Sequence, residues 1–235
     1  FKIFSKQGKE DYAFLSQKNL INSFKKKKFE SSLIKIKQNI YNKIIRKIDN
    51  EYLLSKSNEQ NLLFAFFIAK KLGIKEKFII KSLNSFKGLP HRHEIFYQKK
   101  SIVFINDSRA TSFTSSKYAL RSNKNILWIV GGLHKLKDKF HLRGLKQNII
   151  KAYIIGKNVR YFINQIKKNI DYKVSFTLDK ALKNIFSDIK KNNFQKKYVV
   201  LFSPSSASYD QFDNFVHRGN EFKFLVKKYA KKYFK

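Results

Sequence analysis

The residues best suited to chemistry stand where apolar runs end. The run Tyr198 to Phe202 empties into Ser203-Pro204-Ser205-Ser206-Ala207-Ser208-Tyr209-Asp210-Gln211-Phe212, and the segment closes at Asn214-Phe215-Val216-His217-Arg218-Gly219. A buried strand followed by small hydroxyl residues and a helix offers backbone N–H groups and hydroxyls at a strand's carboxyl end, where open α/β sheets bind ligands. The same serines suit a plain helix cap at Ser208, the commoner use of such a residue. Asn106-Asp107-Ser108-Arg109-Ala110-Thr111 follows another apolar run. Asp107 there reads either as a ligand-binding acid or as an N-cap, and Arg109 either as an anion clamp or as a surface cation. Gly131-Gly132-Leu133-His134-Lys135 follows the strand with the single Trp, Trp128. Adjacent glycines let the backbone turn tightly and approach a ligand, with Lys135 over the sheet edge; an ordinary strand-to-helix turn has the same composition.

His91-Arg92-His93-Glu94 invites a metal, but alternate residues of an extended segment point to opposite faces and no third ligand has recognisable spacing. Arg92 suits either a phosphate grip or a structural ion pair. Neither G-x-x-x-x-G-K, G-x-G-x-x-G nor G-x-S-x-G occurs, so this stretch of chain carries no phosphate-cradling loop and no nucleophile elbow.

The elements that must position these residues differ between the two halves of the chain. Residues 1–16 read as a short helix end and then a buried strand over 11–16, and the alternation of apolar and basic residues over 31–48 reads as edge strands or a hairpin. Lys25 to Lys28 reads as a solvated loop. From Asn58 the residues Leu62, Leu63, Ala65, Phe66 and Ala69 share a helical face ending at Gly73, and a second helix runs from about Lys75 to Phe86. Lys87-Gly88-Leu89-Pro90 breaks the pattern and marks a domain boundary, giving domains 1–89 and 90–235. Beyond it, strands over 94–97, 102–106, 126–130, 152–155, 173–176 and 198–202 alternate with helices over 113–121, 142–149, 159–169, 178–191 and 220–233. Such alternation predicts an α/β domain, Rossmann-like, with a mainly parallel sheet and helices on both faces.

Composition narrows the classes. The 235 residues include 43% hydrophobic ones, enough for a sizeable core. Lys+Arg is 51 against 16 for Asp+Glu, a formal charge of +35. The excess is mostly Lys, spread along the whole length beside abundant Phe, Ile, Asn and Tyr, as an AT-rich genome would give. It therefore reads as background on solvated faces, with no nucleic-acid partner; a basic nucleic-acid-binding module is the alternative. The chain has no Cys, so neither a disulfide nor a thiolate metal site can form. The longest apolar stretch, Leu62 to Ala69, is too short to cross a bilayer. A cytoplasmic protein without a membrane partner, monomeric, is expected. The absence of Met, even at position 1, suggests a piece of a longer polypeptide.

Taken together and in order, Gly88-Leu89-Pro90-His91-Arg92-His93-Glu94, Asn106-Asp107-Ser108-Arg109-Ala110-Thr111, Gly131-Gly132 with Lys135, and Ser203-Pro204 through Phe215 and Arg218-Gly219 resemble the Mur ligases, most closely their D-glutamate-adding branch. The likeness spans residues 88–219, and Asn58 with Asn61 is similar to the family's HNxxN stretch. It implies an ATP-dependent amide ligation in peptidoglycan precursor synthesis. The carboxylate of UDP-N-acetylmuramoyl-L-alanine is phosphorylated, the amine of D-glutamate attacks the acyl phosphate, and phosphate leaves. It further implies that 1–89 is the last part of a central α/β ATPase domain and 90–235 the amino-acid-binding domain. The carbamoylated lysine, the P-loop and most Mg2+ ligands would lie upstream, leaving no metal site in this chain and no activity in it alone.

By the same resemblance, Thr111, Lys135, Ser208 and Phe215 would hold D-glutamate, and Asn58, Asn61, Arg92, Asp107 and Arg109 would contact ATP. Lys135, Arg92 and Arg109 would stabilise charge in the transfer rather than form covalent intermediates. Arg109 stands where the family has Lys, Ser112 where it has Asn, Ser206 where it has Cys, and Ser55 and Ser57 replace the Gly and His around HNxxN. The alternative within the same chemistry is another Mur or folylpolyglutamate-type ligase.

Overall fold

The computed structural model describes residues 2–54, 58–135, 138–191 and 197–234. The chain divides into two compact units, Phe1–Gly88 and Leu89–Lys235. In the first, strands β1 (Tyr12–Leu15) and β2 (Ser32–Lys35) pair in parallel, with α1 (Lys18–Lys26) as their crossover. Phe24 of α1 packs on Ala13 and Leu15. The expected strand over 11–16 is present, but the stretch 31–48 is not a hairpin. Only its first residues are extended; the rest forms a 3₁₀ turn at Gln38–Ile40 and helix α2 (Tyr41–Ile45). Ile36, Ile44 and Ile48 reach one apolar cluster from these turns, a burial that the alternation in sequence mimics. Lys25 and Lys26 also belong to a helix rather than a loop, in the last turn of α1, where cations suit the helix dipole.

Helix α3 (Glu51–Leu54) precedes α4 (Glu59–Lys71) and α5 (Glu76–Ser85), close to the bounds the sequence predicts. Leu62, Leu63 and Phe66 are buried as their spacing requires, while Ala65 faces solvent. Gly73 takes φ 79°, and the Gly73 and Ile74 N–H groups donate to the carbonyls of Lys70 and Ala69, closing α4 as glycine closes helices. Ser55 and Ser57 lie outside the described residues.

The second unit is a six-stranded sheet in the order β3-β4-β8-β5-β6-β7. Its strands are β3 (Glu94–Lys99), β4 (Ile102–Asn106), β5 (Ile126–Gly131), β6 (Ile149–Ile155), β7 (Tyr172–Phe176) and β8 (Tyr198–Phe202). All pair in parallel except β3, an antiparallel edge hairpin with β4. Side chains alternate as a sheet demands. Phe104, Ile129, Val200 and Phe202 pack on one face beneath α8 (Leu178–Lys191) and α9 (Phe215–Tyr233). Ile105, Trp128, Val130 and Leu201 pack on the other against α6 (Phe113–Ser122) and α7 (Val159–Ile166). Runs buried on both faces read as continuously apolar, which is why β4, β5 and β8 are visible in the sequence.

Two helical expectations fail here. Residues 142–149 turn through a 3₁₀ segment, Lys146–Asn148, and then enter β6; Leu142 and Leu145 are buried from that turn, so their three-residue spacing does not require an α-helix. The last helix begins at Phe215 rather than Asn220, capped by the Asn214 side chain, which accepts from the Val216 and His217 N–H groups. Gly219 lies inside this helix because of its neighbours. A Cβ there would stand 2.2 Å from His91 Nδ1 and 2.4 Å from Ser108 Oγ.

Candidate functional site

The crossover that returns β8 between β4 and β5 makes the carboxyl ends of those three strands adjacent, so their polar loops form one rim. Gly131 N–H donates to Pro204 C=O at 3.0 Å, and Leu133 and Ala207 exchange both backbone hydrogen bonds at 3.1 and 2.9 Å. These contacts lay the Gly131–Lys135 loop along the serine loop. Glycine is required for the approach: a Cβ on Gly132 would sit 2.5 Å from Ala207 O and from Ser206 Oγ. The third loop joins through α6, whose Phe113 N–H donates to Asp138 Oδ2 at 2.8 Å. The loops that carry Thr111, Lys135 and Ser208 are thereby tied to one another on a single side of the sheet.

The serine loop assigns its hydroxyls unequally. Ser203 Oγ donates to Asp107 Oδ2 at 2.6 Å, Ser205 Oγ to Ser116 Oγ at 2.7 Å, and Ser206 Oγ to Gly131 O at 2.6 Å. Among the described residues the Ser208 hydroxyl has no hydrogen-bond partner, and Ser208 caps no helix. Asp107 caps none either, since Ser112 is the N-cap of α6, its Oγ accepting from Ser115 N–H. Lys135 is exposed, and so are Arg92 and Arg109; none of the three is in an ion pair among the described residues. The Arg109 guanidinium lies 5.4 Å from the centre of the Phe215 ring, a cation–π distance that ties the loop after β4 to the first residue of α9.

Beneath the rim lies a buried polar layer, of whose members the sequence assigns a binding role to Asp107 alone. Asn106 Oδ1 accepts from Ser108 N–H at 3.1 Å, and its Nδ2 donates to Gly219 C=O at 3.2 Å. Those two contacts orient the amide, so the nitrogen 3.0 Å from His91 Nδ1 is a donor and His91 must accept there as a neutral ring. Burial and the nearby Lys223 charge, opposed by Glu94, lower the His91 pKa in agreement. Burial acts to raise the pKa of Glu94, but hydrogen bonds from His91 N–H and Lys223 hold it below the usual range. Arg218 is 1% exposed, and one of its nitrogens, Nη2, bridges the carbonyls of Ser108 and Ser206 at 2.8 and 3.0 Å. Among the described residues its Nε and Nη1 have no partner. Burial pushes the guanidinium down to about 10 against the opposing Asp210 charge. Asp107, 6% exposed, is pushed up by burial to about 6, although Ser203, His93 N–H and the Arg92 charge all favour its ionised form. Strand-end position was the only sequence signal for Asn106 and Ser203, and Asp138 had none.

Asn58 and Asn61 belong to the first unit, where Asn58 Nδ2 donates to Tyr52 O at 2.7 Å and Asn61 Nδ2 to Asn58 Oδ1 at 3.3 Å. They neighbour each other at the start of α4. His91, His93 and Glu94 make no metal site: Glu94 is engaged by His91 N–H and Lys223, and among the described residues no three His, Cys, Asp or Glu side chains could hold an ion.

No protein-family model matches the chain. Curated proteins do. It is 36% identical over 172 residues to the UDP-N-acetylmuramoylalanine--D-glutamate ligase of Roseobacter denitrificans, covering 73% of this chain and 36% of that protein. The Bartonella henselae protein of the same name is 40% identical over 165 residues, covering 70% and 35%. That of Rickettsia felis is 32% identical over 181 residues, covering 77% and 40%. This chain belongs to the Mur ligase family. It spans about a third of the length of the curated Mur ligases it matches first. Among solved structures, MurF from Acinetobacter baumannii superposes with a TM-score of 0.56 at 19% identity, over 74% of this chain and 38% of that one. The murein peptide ligase Mpl from Psychrobacter arcticus does so with a TM-score of 0.54 at 12% identity, over 95% and 53%. These likenesses establish the Mur ligase α/β fold.

Proposed function

We propose that the rim formed by the loops after β4, β5 and β8 binds D-glutamate, and that the natural polypeptide carrying this chain joins it to UDP-N-acetylmuramoyl-L-alanine in peptidoglycan precursor synthesis. The supporting observation is the selective commitment of the serine hydroxyls. Three are spent on internal acceptors, and among the described residues Ser208 is left uncommitted, next to Ala207, whose backbone pairs with Leu133 in the loop that carries the exposed Lys135. An ammonium and a hydroxyl on adjoining loops suit a carboxylate, through charge-assisted hydrogen bonds. Thr111 closes the same side, and the Phe215 ring, backed by Arg109, offers an apolar wall to the methylenes. The whole reaction is inferred from relatives of which the matched residues make up about a third, so it stands as a proposal, as do the monomeric state and a cytoplasmic site of action. Among the described residues no helix is long and apolar enough to cross a membrane.

The exposed Arg92 and Arg109 guanidiniums fit the phosphates of ATP, and Asp107, which feels the Arg92 charge, supplies an acceptor. ATP supplies the phosphoryl group that activates the acceptor carboxylate for attack by the D-glutamate amine. Among the described residues no three His, Cys, Asp or Glu side chains could hold Mg2+. The test is Lys135→Ala in the natural polypeptide. The KM for D-glutamate should rise about a hundredfold, as loss of a charge-assisted pair predicts, with the KM for ATP changed less than about twofold. Equal rises for both substrates would remove Lys135 from the amino-acid site. Substituting other amino acids for D-glutamate as the ATP-dependent substrate separates this ligase from others of its class.

A further inference from the structure

Ser203 is fully buried and held on every side. Its carbonyl accepts from Trp128 Nε1 at 2.8 Å, β8 fixes its backbone, and its hydroxyl meets Asp107 Oδ2 at 2.6 Å. The other carboxylate oxygen accepts from His93 N–H at 3.1 Å, and Asp107 N–H continues the strand pairing to Phe202 C=O at 2.8 Å. The Asp107 carboxylate is therefore gripped from β8 on one oxygen and from the segment before β3 on the other. A hydroxyl so placed can only donate, because a carboxylate offers no proton in return.

We propose that Ser203 is a positioning residue: its hydroxyl holds the Asp107 carboxylate ionised and aimed at the rim, and it takes no part in binding substrate itself. The inference rests on the reading of Asp107 as a nucleotide contact, and it adds to that reading the residue on which the acid depends. Burial alone drives Asp107 toward its neutral form, which carries a proton on one oxygen and offers a ligand no negative charge. The charged and titratable groups around it are Arg92 and His93, from the segment before β3, with the His93 ring packed on Tyr118 of α6. Arg92 favours the ionised form by its charge and His93 by its N–H, which donates to the other oxygen, so among the described residues neither donates to the oxygen that Ser203 serves. The hydroxyl is thus a support that decides how much carboxylate exists near neutral pH.

The test pairs Ser203→Ala with Ser205→Ala, which removes another buried hydroxyl of the same loop, one that points to Ser116 and away from Asp107. Carbon-13 NMR titration of the Asp107 carboxyl in this chain should show the midpoint rise by about one pH unit in Ser203→Ala and stay unchanged in Ser205→Ala. In the natural polypeptide, the KM for ATP in Ser203→Ala should exceed that of the parent about threefold at pH 6.5, and the two should converge by pH 8.5. A defect of folding or packing would not vanish with rising pH. An unshifted midpoint in Ser203→Ala, or an equal shift in both variants, overturns the proposal. A shifted midpoint with a KM for ATP that never changes supports Ser203 as the support of Asp107 and overturns the nucleotide role of Asp107 instead.

Discussion

The two ends of the six-stranded sheet treat buried polar groups in opposite ways. At the amino ends of the strands, Lys151 and Tyr153 both meet Asp188 Oδ2 at 2.8 Å. Burial acts to raise the pKa of that carboxylate, yet the two hydrogen bonds hold it below the usual range. A cavity of about 280 Å³ lies there, lined by these three residues together with Leu127, Ile189 and Tyr198. At the carboxyl ends, Asp107 is pushed up to about 6, Arg218 keeps two donors unpaired, and Ser208 has a free hydroxyl among the described residues. Polar groups at the amino end answer one another. At the rim they are arranged and left partly unanswered, and such departures concentrate where ligands bind.

That contrast can be broken or sharpened by four measurements. Gly131→Ala should have the largest effect, because its Cβ would fall 2.0 Å from Ile155 O on a backbone at φ 132°. Denaturant melts should show a loss of about 4 kcal/mol or more. A small loss would mean that the rim backbone is free to shift. Asp188→Ala should cost about 2 kcal/mol by leaving Lys151 and Tyr153 without their acceptor, with the side chains' partial exposure moderating the loss. The KM for D-glutamate should be untouched; a change there would show that the two ends are coupled.

Asp107→Asn should act with the opposite sign. The folded chain binds the Asp107 proton up to about pH 6, against the ordinary value of 3.8, so ionisation of this acid lowers stability as pH rises through that window. The amide should raise stability by about 1–2 kcal/mol above pH 6.5, and the gain should disappear toward pH 4. Thermal melts across that range would check it, and a gain independent of pH would refute the burial argument. Lys135→Ala, on an exposed side chain without an ion pair, should move Tm by no more than about 1 °C, whatever it does to D-glutamate binding. A large change in Tm would show the rim lysine to be structural.

The stretches legible in the sequence share a physical cause. β4, β8 and α8 match their predicted bounds because strands buried on both faces and a strongly amphipathic helix write their burial directly into residue order. The failures share a cause as well. Ile36 to Ile48 and Leu142 to Ile149 bury apolar residues from 3₁₀ segments and short turns, whose spacing copies that of a strand or a helix. Of the site, the segments with glycines, basic residues and serines could be read from the chain. The division of labour among the serines could not, because it depends on Asp107, Ser116 and Gly131, which lie far away in sequence.

Residue order by itself determined the alternation of strands and helices in residues 89–235, the apolar identity of the central strands, and the polar character of the loops that follow them, since each is a matter of local periodicity and turn chemistry. Only the tertiary structure decided that β8 returns between β4 and β5. That single pairing brings the three polar loops to one rim, and the desolvation it imposes sets the protonation of Asp107 and leaves Ser208 uncommitted. Strand order and the burial of a polar side chain such as Asp107 are properties of contacts between distant residues, which no local pattern encodes.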